Sequence, residues 1–168
     1  YKLMGDIDAY PTRSWRWNGT THEGFVPFGE NNIRFDGRID GNYYSIKGLR
    51  INRPLEDYVS LLGYSWAEGV SIKDLTMTDV SIVGRNYVGA ISGHVYLLDS
   101  GASNVYIQGY VSGESQVGGF YGYASSNGIN RGCVFRGEVS GVDWVGGISG
   151  YNASLVDCYS DAYVKGRS

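Results

Sequence analysis

At 168 residues the chain is long enough for one domain with a continuous core, and its length requires no second domain. Gly makes up 26 of the residues without a three-residue period, which excludes a collagen-like rod, and the regular Val, Ile and Tyr content excludes a disordered linker. Charged residues are only 18%, the net charge is −3 and no run of Lys or Arg exceeds two, so a nucleic-acid surface is not expected; apolar stretches of a few residues argue against direct membrane insertion.

Residues 1–9 (YKLMGDIDA) read as the close of a coil that begins upstream. Residues 9–34 carry Pro11, Pro27, His22 and two tryptophans without regular alternation, and are expected to form an irregular loop across the side or end of the domain. A loop that long needs a packing or binding reason. Trp15 and Trp17, with Tyr43 and Tyr44 just beyond, are therefore the candidate ligand contacts, and Tyr110, Tyr123 and Tyr151 on the repeats add further aromatic area, since such rings suit stacking on sugar faces or filling a protein interface. Asn18 in Asn-Gly-Thr and Asn152 in Asn-Ala-Ser carry the glycosylation acceptor pattern. Asp6, Asp8, Asp36 and Asp40 form the densest acidic set, but FDGRIDGN lacks the regular oxygen-donor spacing of a calcium loop. Turn capping is the expected role; no metal or cofactor is assigned, with Ca2+ kept as the alternative.

From residue 35 to residue 168 the chain repeats. Residues 58–64 read YVSLLGY, 87–93 YVGAISG, 116–122 QVGGFYG and 144–150 WVGGISG, so Val59, Val88, Val117 and Val145 recur at intervals of 29, 29 and 28 residues. A second phrase precedes the last three copies: VSIVG ending at Gly84, GYVSG at Gly113 and GEVSG at Gly141, with AYVKG ending at Gly166. Leu75 and Met77, then Val105 and Ile107, alternate with polar neighbours as half-buried strands do, and no stretch is long enough for a helix. Short strands at this period predict an all-β fold, a right-handed parallel β-helix of about five coils of roughly 28 residues in a single domain spanning 1–168. Side chains should stack in columns about 4.8 Å apart. One column is Val59, Val88, Val117 and Val145; a second is Leu62, Ile91, Phe120 and Ile148; a third is Ile82, Val111, Val139 and Val164. Val117 and Phe120 lie three residues apart, as do Val145 and Ile148, so a straight strand cannot aim both inward. Gly118, Gly119, Gly146 and Gly147 are therefore expected to bend the chain at a corner. Cys133 and Cys158 fall eight residues before Gly141 and Gly166, which makes them stacked equivalents on adjacent coils. A buried free-thiol ladder is the expected state, with a disulfide as the alternative.

Several of these phrases together resemble the GLUG-motif family, repeats of large bacterial and some archaeal surface proteins, including the regions that precede immunoglobulin-A-cleaving metalloproteases. The resemblance rests on VGGFYGY, VGGISGY, GCVFRGEVSG and DCYSDAYVKG, and upstream on YKLMGDIDA, FVPFG and FDGRIDGNYYSIKGLRI. Residues 59–63 (VSLLG) and 88–92 (VGAIS) depart from the double-Gly form, which bears on corner geometry in those coils. The resemblance implies a β-helical stalk or adhesin segment, located outside the cell or on its surface.

The functional expectation is thus a non-enzymatic structural or adhesive segment with no catalytic residue. Its partners would be neighbouring coils or domains of a larger protein, or a glycan or host or cell-surface protein. Both ends of the repeat look open, which fits either a piece of a longer protein or an end-to-end homo-oligomer that builds an extracellular filament. A carbohydrate-binding module is a further alternative, and a polysaccharide-degrading β-helix the last. The latter needs paired carboxylates across a substrate, whereas Glu114, Glu138 and Asp143 sit near corners.

Overall fold

The computed structural model describes residues 1–29, 33–66, 71–97, 101–126 and 128–167. Residues 30–32 of the expected loop, and 67–70, 98–100, 127 and 168 of the expected coils, lie outside the described residues.

Parallel strands wind into a β-solenoid of about four turns, followed by the long-sheet strands of a fifth. The long sheet stacks Ser45–Lys47, Ser71–Val83, Ala102–Ser112, Val134–Ser140 and Tyr159–Lys165. A second sheet stacks Asn86–Val88, Ser115–Gly118 and Asp143–Gly146, and a third stacks Tyr64–Trp66, Ser92–Leu97, Tyr121–Ser126 and Ser149–Tyr151. All these pairings are parallel.

Within Ser71–Val83 the buried residues are Ile72, Leu75, Met77, Val80 and Ile82, so simple alternation breaks twice. Asp74 and Asp79 cause the breaks: both take left-handed backbone angles, φ 52° and 53°, and each pivots the strand so that the next side chain points inward again. The first pivot recurs on every turn as the column Tyr43, Asp74, Asn104, Gly132 and Asp157, all with φ between 52° and 64°. Asp, Asn and Gly tolerate this conformation best, and Asn104 Nδ2 donates to Asp74 Oδ1 at 2.8 Å between adjacent turns.

Inside the long sheet run two columns: Ile46, Met77, Ile107 and Phe135, and Ile51, Ile82, Val111, Val139 and Val164. Val59, Val88 and Val117 are buried beside Leu62, Ile91, Phe120 and Ile148. Val145 is half-buried and Val164 is 42% exposed, because each lies on the outermost turn with a stacked neighbour on one side only.

Glycines in the repeated phrases serve close approach. A Cβ on Gly84 would lie 2.6 Å from Val59 Cβ, and one on Gly141 2.8 Å from Val145 Cγ2, so the glycine ending each phrase makes room for the valine column. A Cβ on Gly118 would lie 2.6 Å from Ser149 Cα, one on Gly146 would strike the Ser149 carbonyl, one on Gly119 would strike the Phe135 ring, and one on Gly147 would lie 2.8 Å from Ser160 Cβ. None of these four has a positive φ, so they occupy their corner for want of space rather than for backbone freedom.

The N-terminal region contains the helical turn that strand periodicity did not anticipate, a 3-10 segment at Tyr10–Ser14 with Pro11 at its start. Thr12 Oγ1 accepts from Arg50 N at 2.9 Å, Phe25 N donates to Arg50 O at 2.9 Å and Phe28 N to Leu61 O at 3.0 Å, so the segment docks on the first turn. The buried Arg53 fastens it: Nη1 bonds Glu56 at 2.8 Å, Nη2 lies 3.5 Å from Glu23, and Nε donates to Phe25 O at 3.3 Å.

Candidate functional site

An outward-facing feature that recurs from turn to turn is an aromatic seam where the second and third sheets meet. Tyr58, Tyr87, Gln116 and Trp144 each precede a column valine, and all four adopt left-handed angles, φ 56° to 61°. Such angles cost a bulky residue about 1–2 kcal/mol. The conformation lets the following valine enter the core while the residue before it leans over the third sheet. There Tyr64, His94, Tyr123 and Tyr151 stand in register, one per turn. The final glycine of each repeated phrase permits the approach: a Cβ on Gly93 would lie 2.6 Å from Tyr58 Cα, and one on Gly150 2.6 Å from Gln116 C.

Rings of the two columns interlock. Tyr58 stacks on Tyr87 with centroids 4.8 Å apart and planes 12° from parallel, and Tyr123 stacks on Tyr151 at 4.9 Å and 5°. His94 stacks on Tyr87 at 5.9 Å and meets Tyr64 and Tyr123 edge-on at 5.1 and 4.6 Å, while Trp144 meets Tyr151 edge-on at 5.0 Å. Such pairs contribute about 0.5–1.5 kcal/mol each beyond burial, enough to offset the left-handed backbone. Below the seam the Asp57 carboxylate receives Arg85 Nε and Nη2, both at 2.8 Å, and Asn86 Nδ2 at 3.0 Å. The Arg85 bonds hold that carboxyl below its usual range.

Desolvation among these rings lowers the pKa of the half-buried His94 below its ordinary 6.5. The native state therefore favours the neutral imidazole, and the unfolded chain takes up the proton first as pH falls. This stabilisation is fully present above the unfolded pKa and is lost as pH drops through the folded one. The expected result is a melting temperature that falls between roughly pH 7.5 and pH 5 by more in the native chain than in His94→Phe. Equal slopes for the two in a calorimetric pH series would contradict it.

Of the sequence-derived aromatic contacts, Tyr123 and Tyr151 lie in this seam, and the tryptophans with Tyr43 and Tyr44 are placed elsewhere. Trp15 and Trp17 are exposed on the N-terminal segment, Trp17 against His22 at 5.0 Å. Tyr43 is 79% exposed at the long-sheet pivot, with half-buried Tyr44 after it. Among the described residues no ring contact joins the tryptophans to these tyrosines. Trp15 borders an apolar cavity of about 680 Å3 beneath the first turn, lined by Leu3, Phe25, Phe28, Ile46 and Leu49 among others. Both acceptor asparagines are exposed; Asn18 Oδ1 accepts from Thr20 N and Thr21 N at 3.0 and 2.9 Å, and Asn152 sits at φ 52°.

Of the acidic set, Asp8 and Asp40 cap local turns, whereas Asp6 bonds across to the strand that begins at Ser45. Asp6 accepts from Ser45 N at 2.8 Å, Asp8 from Tyr10 N at 3.0 Å and Asp40 from Asn42 N at 2.8 Å. Among the described residues no three His, Cys, Asp or Glu side chains converge as a metal site, and no helix is long and apolar enough to cross a membrane.

Cys133 and Cys158 are stacked neighbours with free thiols. Cys133 Sγ donates to Arg131 O at 3.4 Å, Cys158 Sγ to Val156 O at 3.3 Å, and Cys133 N donates to Cys158 Sγ at 3.3 Å. Burial, with Cys158 beside it, pushes the Cys133 thiol up to about 12. The thiolate is the reactive form, so Cys133 should resist a thiol reagent until the protein unfolds. Its intact mass should be the same with and without reductant; a mass lower by two hydrogens before reduction would reveal a disulfide instead.

No family model matches the chain. It is 32% identical over 130 residues to halomucin of Haloquadratum walsbyi, a match that covers 77% of this chain and 1% of that protein. It is 37% identical over 76 residues to a provisionally named Gly-rich membrane protein of Evansella cellulosilytica, covering 44% of this chain and 9% of that one. The chain thus spans only a small part of either relative. Among solved structures, a provisionally assigned immunoglobulin A1 protease from Bacteroides ovatus superposes with a TM-score of 0.68 at 20% identity, over 95% of this chain and 49% of that one. At that identity the likeness shows the solenoid fold alone.

Proposed function

We propose that the chain is a GLUG-type solenoid segment with a non-enzymatic structural or adhesive role in a longer secreted or cell-surface protein. One observation carries this reading: the repeated residues are engaged in stacking one turn on the next, as inward columns, as glycines at close approaches and as an outer aromatic seam. A match confined to 1% and 9% of two relatives, one of them named as a membrane protein, supports a module of a large surface-associated chain.

An antibody raised against the folded segment tests it on the organism that makes the protein. Intact cells, or their culture medium, should carry the epitope, and an in-frame deletion of the segment should leave the rest of the protein displayed while attachment to surfaces falls. Labelling only after permeabilisation would overturn the proposal, and attachment unchanged by the deletion would remove its adhesive half and leave the structural one. The exposure of Trp17 and Tyr43 favours glycan recognition as a second reading. A glycan array that shows no enrichment at high protein concentration would remove it.

A further inference from the structure

We infer that the seam is a site of oxidative cross-linking, in which Tyr123 and Tyr151 join as dityrosine and tie the third turn covalently to the fourth. The two residues are directly opposed on adjacent parallel strands, their rings are 4.9 Å apart and 5° from parallel, and Tyr151 is 36% exposed. An oxidant can therefore reach the pair. Trp144, more exposed and 5.0 Å from Tyr151, gives a one-electron oxidant a further point of entry.

The co-reactant is hydrogen peroxide acting through a peroxidase. Each phenol gives up one electron and its hydroxyl proton, which together reduce one peroxide to two waters. The two tyrosyl radicals then form a carbon–carbon bond between ring positions ortho to the hydroxyls. The two displaced ring hydrogens return to the phenoxyl oxygens as the rings regain aromaticity, so the protein loses two hydrogen atoms in all. Coupling of radicals normally waits on a diffusional encounter, whereas here the register holds both rings together beforehand. Tyr58 and Tyr87 share the stacked geometry at 4.8 Å but are both half-buried, which places them second in reactivity.

The test is brief treatment of the dilute full chain with peroxidase and hydrogen peroxide, followed by intact mass, dityrosine fluorescence and peptide mapping. A monomer lighter by two hydrogens and a linked Tyr123–Tyr151 peptide are expected; the linked peptide should disappear in Tyr151→Phe and in Tyr123→Phe, and any lighter monomer that remains in those variants should map to Tyr58–Tyr87. Tyr1, Tyr43 and Tyr163, which are 85%, 79% and 68% exposed, are the internal controls. If exposure alone governed the chemistry, these three would react first and give intermolecular dimers. Such dimers without the Tyr123–Tyr151 link, or fluorescence unchanged in either phenylalanine variant, would overturn the inference. Circular dichroism of each variant establishes that the solenoid persists, and with two independent variants a folding failure in one leaves the other decisive.

Discussion

Replacing Phe120 with alanine is expected to destabilise the protein by about 3–5 kcal/mol, read as a lower guanidinium midpoint with an unchanged slope. Phe120 is fully buried between Ile91 on the turn below and Ile148 on the turn above, with backbone hydrogen bonds on both sides, Ile91 N to Phe120 O at 3.0 Å and Phe120 N to Ile148 O at 2.8 Å. Truncation would leave a hole in the middle of a stack whose neighbours are fixed by those strands, so the cavity cannot close by local collapse. In a solenoid each turn is held chiefly by its neighbours, and a defect on the third turn weakens its interface with both. Val164→Ala is the control, because Val164 belongs to a core column yet is 42% exposed on the outermost rung. It should cost less than about 1 kcal/mol. Similar losses at the two positions would mean that the stacks do not carry the stability.

Gly137→Ala should be comparably severe for a different reason. Gly137 has φ +129°, a region that L side chains rarely adopt, and a Cβ there would run into the carbonyl oxygen of Gly109 on the adjacent turn. Gly109 and Gly137 are in register, so neither strand can withdraw without breaking the ladder around it. Backbone strain of about 1–3 kcal/mol and overpacking of similar size add to a loss of roughly 2–6 kcal/mol. Gly132 separates the two contributions. Its φ is +59°, but the nearest atom to a Cβ is Asn104 N at 3.9 Å, so Gly132→Ala meets strain without a clash and should cost about 1–2 kcal/mol. Gly132→Asn should cost less than Gly132→Ala, since Asn104 holds the same conformation one turn below. Thermal unfolding of the three variants should rank them in that order, Gly137→Ala worst.

The period and the columns were legible because a buried parallel stack demands the same kind of side chain at the same place on every turn. Val59, Val88 and Val117, and Leu62, Ile91, Phe120 and Ile148, could therefore be aligned from their spacing and are buried together. The pivots were harder to read. Leu75, Val105, Cys133 and Cys158 each follow an Asp, Asn or Gly, and that recurring pair was the available signal for a left-handed residue. Strand alternation alone treats such a residue as one more outward position and misses the change of direction. The same blindness hid the seam: the leading Tyr, Tyr, Gln and Trp of the repeated phrases were visible, but only their positive φ brings them over Tyr64, His94, Tyr123 and Tyr151. The N-terminal segment repeats nothing, and it is held by contacts distant in sequence, such as Thr12 to Arg50 and Arg53 to Glu23. No local pattern encodes these.

The central claim, that successive turns stack in register along one axis, is tested most directly by distances between spin labels on the outer face of the long sheet. Lys47, Gln108 and Asp161 are exposed and lie on its first, third and fifth rungs, Gln108 and Asp161 in register through Arg136, and Lys47 opposite Thr78 beside the register shift that follows Met77. Labels attached by a chemistry that spares Cys133 and Cys158 should be about 10 Å apart for Gln108 with Asp161 and about 19 Å apart for Lys47 with Asp161, two and four steps of about 4.8 Å. Separations that fail to grow with the number of rungs would contradict the solenoid.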